Sequence, residues 1–297
     1  MRVNPNFSTD ILNSIWQSQS QEQTALEQIA TGRRVNVPSD DPTAAAEDVQ
    51  NQSLQAQTDQ YLQNTSSLDG LLQTADSTLS SVVTSLNQAI SLGVQGGNGT
   101  LSTAQMQSIA SQVQGIQSQV LQLANTSYQG NYIFAGTATT TTPFTLDATQ
   151  PDGVVYNGNT NTNTVEIAQG RSIQINLPGS QIFQNSSGDV FGALQQLTTA
   201  LQNGDKTGVQ NATTQLSSAL NTLSEQRVFY GNAVSELNSN QSSLQTEQVN
   251  LQTQENNLVG ANLAQASTNL SQAQLTHDAA LAALAKVLPV SLLDYLK

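Results

Sequence analysis

The sequence predicts a mainly α-helical protein with a small β insert, built as an elongated antiparallel helical bundle or coiled coil from both ends of the chain. Three observations carry that expectation. Apolar side chains recur at steps of three and four through long stretches on both sides of the centre; this period disappears between about Gly136 and Gly188, where short alternating runs replace it; and the composition is lean, with 37% hydrophobic, 4% aromatic and 10% charged residues in a chain of 297. The bulk is Gln, Asn, Ser, Thr and Ala, so the core must be thin, which favours long helices over a compact globule.

The first helical stretch has its seam at Leu68, Leu72, Ala75, Leu79, Val82, Leu86 and Ala89, and Leu54 and Tyr61 extend the register backwards. The linker SLGVQGGNGTLS, with Gly96, Gly97 and Gly99, breaks the helix and allows a reversal. Met106, Ile109, Val113, Ile116, Val120 and Leu123 then repeat the spacing, which predicts an antiparallel helical partner.

Downstream, Leu216, Leu223, Tyr230, Leu237, Leu244, Leu251 and Leu258 recur every seventh residue and predict one very long helix. Its second seam position is often polar (Arg227, Gln241, Gln248, Glu255), so it should lie against the other helices rather than stand as a coil of its own. After Val259 and Gly260 the phase slips, as at a stutter, and a joint is expected there. In the middle, VVY at Val154 to Tyr156, TVEI at Thr164 to Ile167 and SIQINL at Ser172 to Leu177 read as strands, with turn signals between them. Val190 to Leu201 reads as the returning helix. The β insert, about Gly136 to Gly188, is expected to be a peripheral module whose deletion leaves the helices folded.

Near the N-terminus, Ile11, Leu12, Ile15, Trp16, Leu26 and Ile29 describe a helix with a polar gap at Gln17 to Thr24, and Gly32 is its expected C-cap. Asp41 followed by Pro42 reads as an N-cap with proline in the first helical position. Between them Arg33 and Arg34 either pair with Asp40 or Asp41 at the surface or contact another molecule. At the other end, Leu263, Leu270, Leu281, Leu284 and Leu288 form a stripe, and Pro289 is expected to break the helix before Leu292, Leu293 and Leu296.

Several functions are argued against. A net charge of −13 with scattered basic residues leaves no patch to neutralise a phosphate backbone, so no nucleic-acid partner is expected. With no cysteine and one histidine, His277, neither thiol chemistry nor a usual zinc site is available, and Asp147 and Asp152 do not cluster into a carboxylate site. GVQGGNG, Gly93 to Gly99, lacks the lysine and preceding strand of a phosphate loop. His277 sits in a helical context far from any glycine-framed serine, so no enzyme and no cofactor are expected. No apolar run reaches membrane-spanning length, and Leu281 to Leu296 lacks a basic face, so no membrane insertion is expected. The first residues also lack the apolar region and cleavage site of a secretory signal.

The segment TGRRVNVPSDDPTAAA resembles the N-terminal pattern of the flagellin superfamily, and its PSDDP resembles the hook-associated protein 3 family more than flagellin itself. YQGNYIFAGT at Tyr128 to Thr137, INLPGSQIF at Ile175 to Phe183 and the closing LAALAKVLPVSLLDYLK agree in order. The resemblance implies a flagellin-like fold and a non-enzymatic adapter at the junction of flagellar hook and filament. It would be exported through the flagellar type III channel without a cleaved signal, held beforehand by an export chaperone, and assembled as a ring of identical subunits between hook-associated protein 1 and flagellin. A flagellin or flagellin-like filament subunit is the alternative, and a coiled-coil adhesin or phage-type fibre a remote one.

On this reading residues 1–40 with 260–297 are terminal helical segments that order on assembly, 41–135 with 189–259 form a helical rod body, and 136–188 form the inserted β domain. The expected assembly interface comprises the apolar positions of both terminal segments just named, Ile11 to Ile29 and Leu263 to Leu296, with Arg33, Arg34, Asp40 and Asp41 at the turn. The expected rod core takes Leu68, Leu72, Leu79, Leu86, Ile109, Val113, Ile116, Val120, Leu223, Tyr230, Leu237, Leu244 and Leu251.

Overall fold

The computed structural model describes the backbone of residues 7–295 and the side-chain surroundings of residues 9–285. Seven helices are described: α1 (Phe7–Thr31), α2 (Pro42–Gly96), α3 (Thr103–Ala124), the short α4 (Gly179–Phe183), α5 (Val190–Asn203), α6 (Lys206–Val259) and α7 (Leu263–Tyr295). Eight short strands form four separate antiparallel hairpins: β1 (Ser127–Tyr128) with β2 (Asn131–Tyr132), β3 (Phe144–Leu146) with β4 (Val154–Tyr156), β5 (Thr164–Ala168) with β6 (Arg171–Gln174), and β7 (Gln184–Asn185) with β8 (Gly188–Asp189). Strand pairing thus begins before the expected insert. Two compact units result, residues 60–245 and residues 1–59 with 246–297, and the division falls inside α2 and α6.

Within residues 60–245 the heptads do what their spacing requires. Leu68, Leu72, Leu79 and Leu86 of α2, Ile109, Val113, Ile116 and Val120 of α3, and Leu223, Tyr230 and Leu237 of α6 are all buried in one continuous core. Leu244 of this unit is buried as well. The α2 and α6 segments run antiparallel. Thr65 faces Asn240, and Asp76 receives two hydrogen bonds from the Arg227 guanidinium at 3.0 and 3.2 Å. Arg227 is one of the polar seam positions, so the polar residue in the repeat is used for a cross-helix ion pair. The start of α3 is set by a capping box, in which Ser102 Oγ accepts from Gln105 N while Gln105 Oε1 accepts from Ser102 N.

The central segment is not the peripheral module its turn-bounded strands suggest. Isolated two-stranded hairpins are marginal in water, and the buried apolar side chains of this segment join the helical core. Phe144, Ile167, Ile173, Leu177, Ile182 and Phe183 belong to the same core as α2, α3, α5 and α6. Phe183 packs on Phe134, Phe144 and Phe191 with ring centroids 5.5, 5.5 and 5.9 Å apart. Tyr230, fully buried in α6, accepts a hydrogen bond from the Leu177 backbone N–H at 3.2 Å, and burial pushes its phenol pKa up. Deleting residues 136–188 is therefore expected to abolish cooperative melting of the helices, followed by circular dichroism at 222 nm. An unchanged transition would show that the segment is separable after all.

Candidate assembly surface

In the unit made from the two ends, the short linkers on either side are hydrogen-bonded together. Helix α1 stops at Gly32, whose left-handed backbone (φ +68) suits a residue without a Cβ. Arg34 N donates to Val259 O at 2.6 Å and Ala261 N donates to Gly32 O at 2.8 Å, so residues 32–34 pair antiparallel with residues 259–261, with an isolated bridge from Arg33 to Gly260. A Cβ at Gly260 would lie 2.3 Å from Asn256 O, which explains glycine at the place where the heptad phase slips. Val35, Ala44 and Val259 form a small apolar cluster beneath this joint.

Polar groups around the joint complete it. Arg33 bridges two helices: Nη1 donates to Glu255 Oε1 of α6 at 3.0 Å and Nη2 donates to Asp48 Oδ2 of α2. Gln52 also donates to Asp48 Oδ2 and Gln55 to Glu255 Oε2. Arg34 donates to Asp41 Oδ2 and to Leu258 O. Asp40 accepts from the backbone N–H groups of Asn36 and Val37, which fixes the turn. Asp41 Oδ1 accepts from Ala44 N at 3.1 Å and caps α2 with Pro42 first in the helix.

The Ala44 hydrogen bond, then Arg34, holds the Asp41 carboxyl below its ordinary pKa of 3.8. A depressed carboxylate pKa stabilises the fold fully above the unfolded value, and this contribution is lost as pH falls through the lower folded value. Both arginines of the motif thus have partners within the chain. Asp41 is a partner that sequence neighbourhood suggests; Asp48 and Glu255, which lie 15 and 222 positions from Arg33, are not.

Removing Arg33 should cost more than losing a surface pair, because the Asp48 side chain is only 8% exposed. Arg33→Ala is expected to destabilise this unit by about 1 to 3 kcal/mol, the penalty of a buried charged group left unsatisfied. Asp48→Asn in the same background should recover part of it. Denaturant melts of the single and double variants measure both, and no recovery would argue that the Arg33–Asp48 contact is not the cause.

Helices α1 and α7 run antiparallel, with Ser18 Oγ 3.4 Å from His277 Nδ1 and Glu22 Oε1 accepting from Gln274 Nε2. Their buried contact face is narrow: Ile11, Ser18 and Ala25 on α1 and Ala266 and Ala273 on α7. The expected leucine stripe does not fill it. Small residues let the helices approach closely, and several of the larger apolar side chains are turned outward. Leu12, Trp16 and Leu26 on α1 and Leu263 and Leu281 on α7 are exposed, Trp16 by 64%, and Leu275 joins them. Ile15, Ile29, Leu270 and Leu284 are half-buried. An open groove of about 370 Å³ lies between the helices, lined by Ser20, Thr24, Gln28, Asn269 and Gln272 among others.

Helix α7 continues through Pro289 to Tyr295, so the expected break is not there; an interior proline costs a backbone hydrogen bond and can kink a helix as well as break it. The side chains of Leu288, Leu292 and Leu293, and all of Leu296, lie outside the described residues. The seven-residue spacing of Ile11, Ser18 and Ala25 and of Ala266 and Ala273 is the signal that marks the true pairing face, hidden because most of its members are not large hydrophobes.

The two helical termini that pair also match known proteins. The model of the bacterial flagellin N-terminal helical region matches residues 3–139, and that of the flagellin C-terminal helical region matches residues 213–296. The chain belongs to the flagellin family.

Within the flagellin family the chain is similar to flagellar hook-associated protein 3 of Salmonella typhimurium, at 37% identity over 175 residues, 59% of this chain and 54% of that protein. It is 35% identical to flagellar hook-associated protein 3 of Escherichia coli over 185 residues, 60% of this chain and 57% of the other. The chain thus matches a little over half the length of these curated relatives. The crystal structure of Bacillus cereus FlgL superposes with a TM-score of 0.61 at 26% identity, covering 70% of this chain and 99% of that one. Among the described residues no helix is long and apolar enough to cross a membrane.

Proposed function

We propose that this chain is the structural adapter of the bacterial flagellum at the hook–filament junction, a ring-forming subunit that links hook-associated protein 1 to flagellin through helical packing of its termini. Its role is mechanical, with no catalytic step and no cofactor. Before export, a flagellar chaperone holds it in the cytoplasm, and it leaves through the flagellar type III channel. The reading is supported by membership of the flagellin family at both ends of the chain, and by the identity to hook-associated protein 3 over its matched part. The single observation that carries the mechanism is the outward turn of the large apolar side chains on both α1 and α7. Such side chains are stable in water only at a cost of roughly 1.5 to 3 kcal/mol each relative to burial, so a neighbouring subunit has much to gain by covering them.

The narrow contact face between α1 and α7 also fits a coupling of order to assembly. In the proposed mechanism both terminal segments are weakly held in the free chain and become fully ordered against neighbouring subunits. Electron microscopy of cells lacking the protein tests the function. Hooks without filaments, restored by the intact chain, are the expected result. Filaments that persist, or filaments that carry the chain along their whole length, would overturn the adapter reading, the second in favour of a filament subunit.

A further inference from the structure

The chain contains three Asn–Gly pairs, Asn98–Gly99, Asn157–Gly158 and Asn203–Gly204. In such a pair the glycine has no side chain to shield its backbone nitrogen and reaches the angles needed for ring closure without strain, so the nitrogen can attack the neighbouring side-chain amide. The fold treats the three pairs differently. At Asn157 the side-chain Nδ2 is tied to Thr145 Oγ1 at 2.9 Å, and Gly158 is packed so closely that a Cβ there would lie 2.7 Å from Ala135 O. At Asn203 the nucleophile is occupied: Gly204, left-handed at φ +69 as the C-cap of α5, donates its N–H to Leu201 O at 3.2 Å.

Asn98 and Gly99 lie exposed in the connection between α2 and α3, and a Cβ built on Gly99 would meet nothing within 4 Å. No acceptor for the Gly99 N–H occurs among the described residues. Two further contacts favour attack. Thr100 Oγ1 donates to Asn98 Oδ1 at 3.4 Å, on the oxygen that gains negative charge in the tetrahedral intermediate. Leu101 N donates to Asn98 O at 3.4 Å, on the carbonyl of the same peptide whose nitrogen must lose its proton.

We propose that Asn98 is a site of spontaneous deamidation, the one of the three pairs that the fold leaves competent to react. Gly99 N gives up its proton to solvent hydroxide and bonds to Asn98 Cγ; the Cγ–Nδ2 bond breaks and ammonia leaves, which closes a five-membered succinimide. Water then adds to either ring carbonyl and opens the ring to aspartate or isoaspartate. The balance is one water consumed and one ammonia released, with no oxidant or reductant. The product carries a new carboxylate in the loop where Lys206 Nζ already donates to Gly99 O at 2.9 Å. It adds one negative charge to a chain at −13, and in the isoaspartate form lengthens the backbone between α2 and the capping box of α3. This inference is independent of the proposed function.

Incubation of the purified full-length chain at mildly alkaline pH, followed by peptide mass spectrometry, tests it, with the chain unfolded in denaturant as reference. In the folded chain Asn98 should convert at a rate close to its rate in the unfolded one, with a gain of one mass unit and an isoaspartate product. Asn157 and Asn203 should be slowed at least ~10-fold by folding, because reaction there must await local opening. Suppression of Asn98 to the same extent as the other two, or equal reaction at all three in the folded chain, would overturn the proposal. Gly99→Ala, checked for an unchanged melting midpoint, should slow conversion at Asn98 several-fold; an unaltered rate would rule out the cyclic route.

Discussion

Replacing Phe183 by alanine is expected to lower the stability of residues 60–245 by about 3 to 5 kcal/mol, the range for removing a fully buried aromatic ring. Phe183 is fully buried and meets Phe134, Phe144 and Phe191. The cost is large because this ring is where the hairpins and the helices share their core. A chain with only 4% aromatic residues has few other side chains able to fill the space left. Denaturant unfolding followed by circular dichroism measures it, and a loss below about 1 kcal/mol would mean that the site collapses around the cavity or that the hairpins are not part of the cooperative unit.

The second large effect is on assembly and leaves folding alone. Changing Leu12 and Trp16 together to serine removes two exposed apolar side chains, 41% and 64% accessible, from the outward face of α1. Surface substitutions of this kind change stability by about 0.5 kcal/mol or less, so the melting midpoint should stay in place. Filament formation in a complemented deletion strain should fall to the level of the empty vector. Ser18→Ala and Ala25→Ser, which lie on the inward face, serve as controls that test pairing with α7 and not docking. Normal filaments from the Leu12, Trp16 variant would show that this face is not where neighbours dock.

Much of this architecture was legible because a heptad is a direct statement about burial. Leu216, Leu223, Tyr230 and Leu237 announce one helix face by spacing alone, and the slip after Val259 announces the joint that Gly260 makes. The capping residues Asp41 and Ser102 are read from local chemistry, as is Gly32. What spacing does not reveal is contact between residues far apart. Nothing near Arg33 indicates Glu255, and nothing in the short strands indicates that their side chains share the helical core. The terminal pairing face was missed for a different reason. Hydrophobic periodicity weights leucine, and apart from Ile11 the buried α1–α7 contact is made by serine and alanine, which bury little area but permit close approach; Leu12, Leu26, Leu263 and Leu281, which the pattern singles out, are exposed, and Leu270 and Leu284 are half-buried.

That inversion makes the terminal helices the place where the account is most exposed to test. Amide hydrogen exchange, measured on the free chain and on the assembled form, addresses it directly. If order at the ends is coupled to assembly, residues 9–31 and 263–285 exchange rapidly in the free chain while Leu72 to Leu86 and Leu216 to Leu237 are strongly protected, and the terminal segments gain protection on assembly. Core-level protection of both terminal segments in the free chain, or no gain on assembly, would contradict the account.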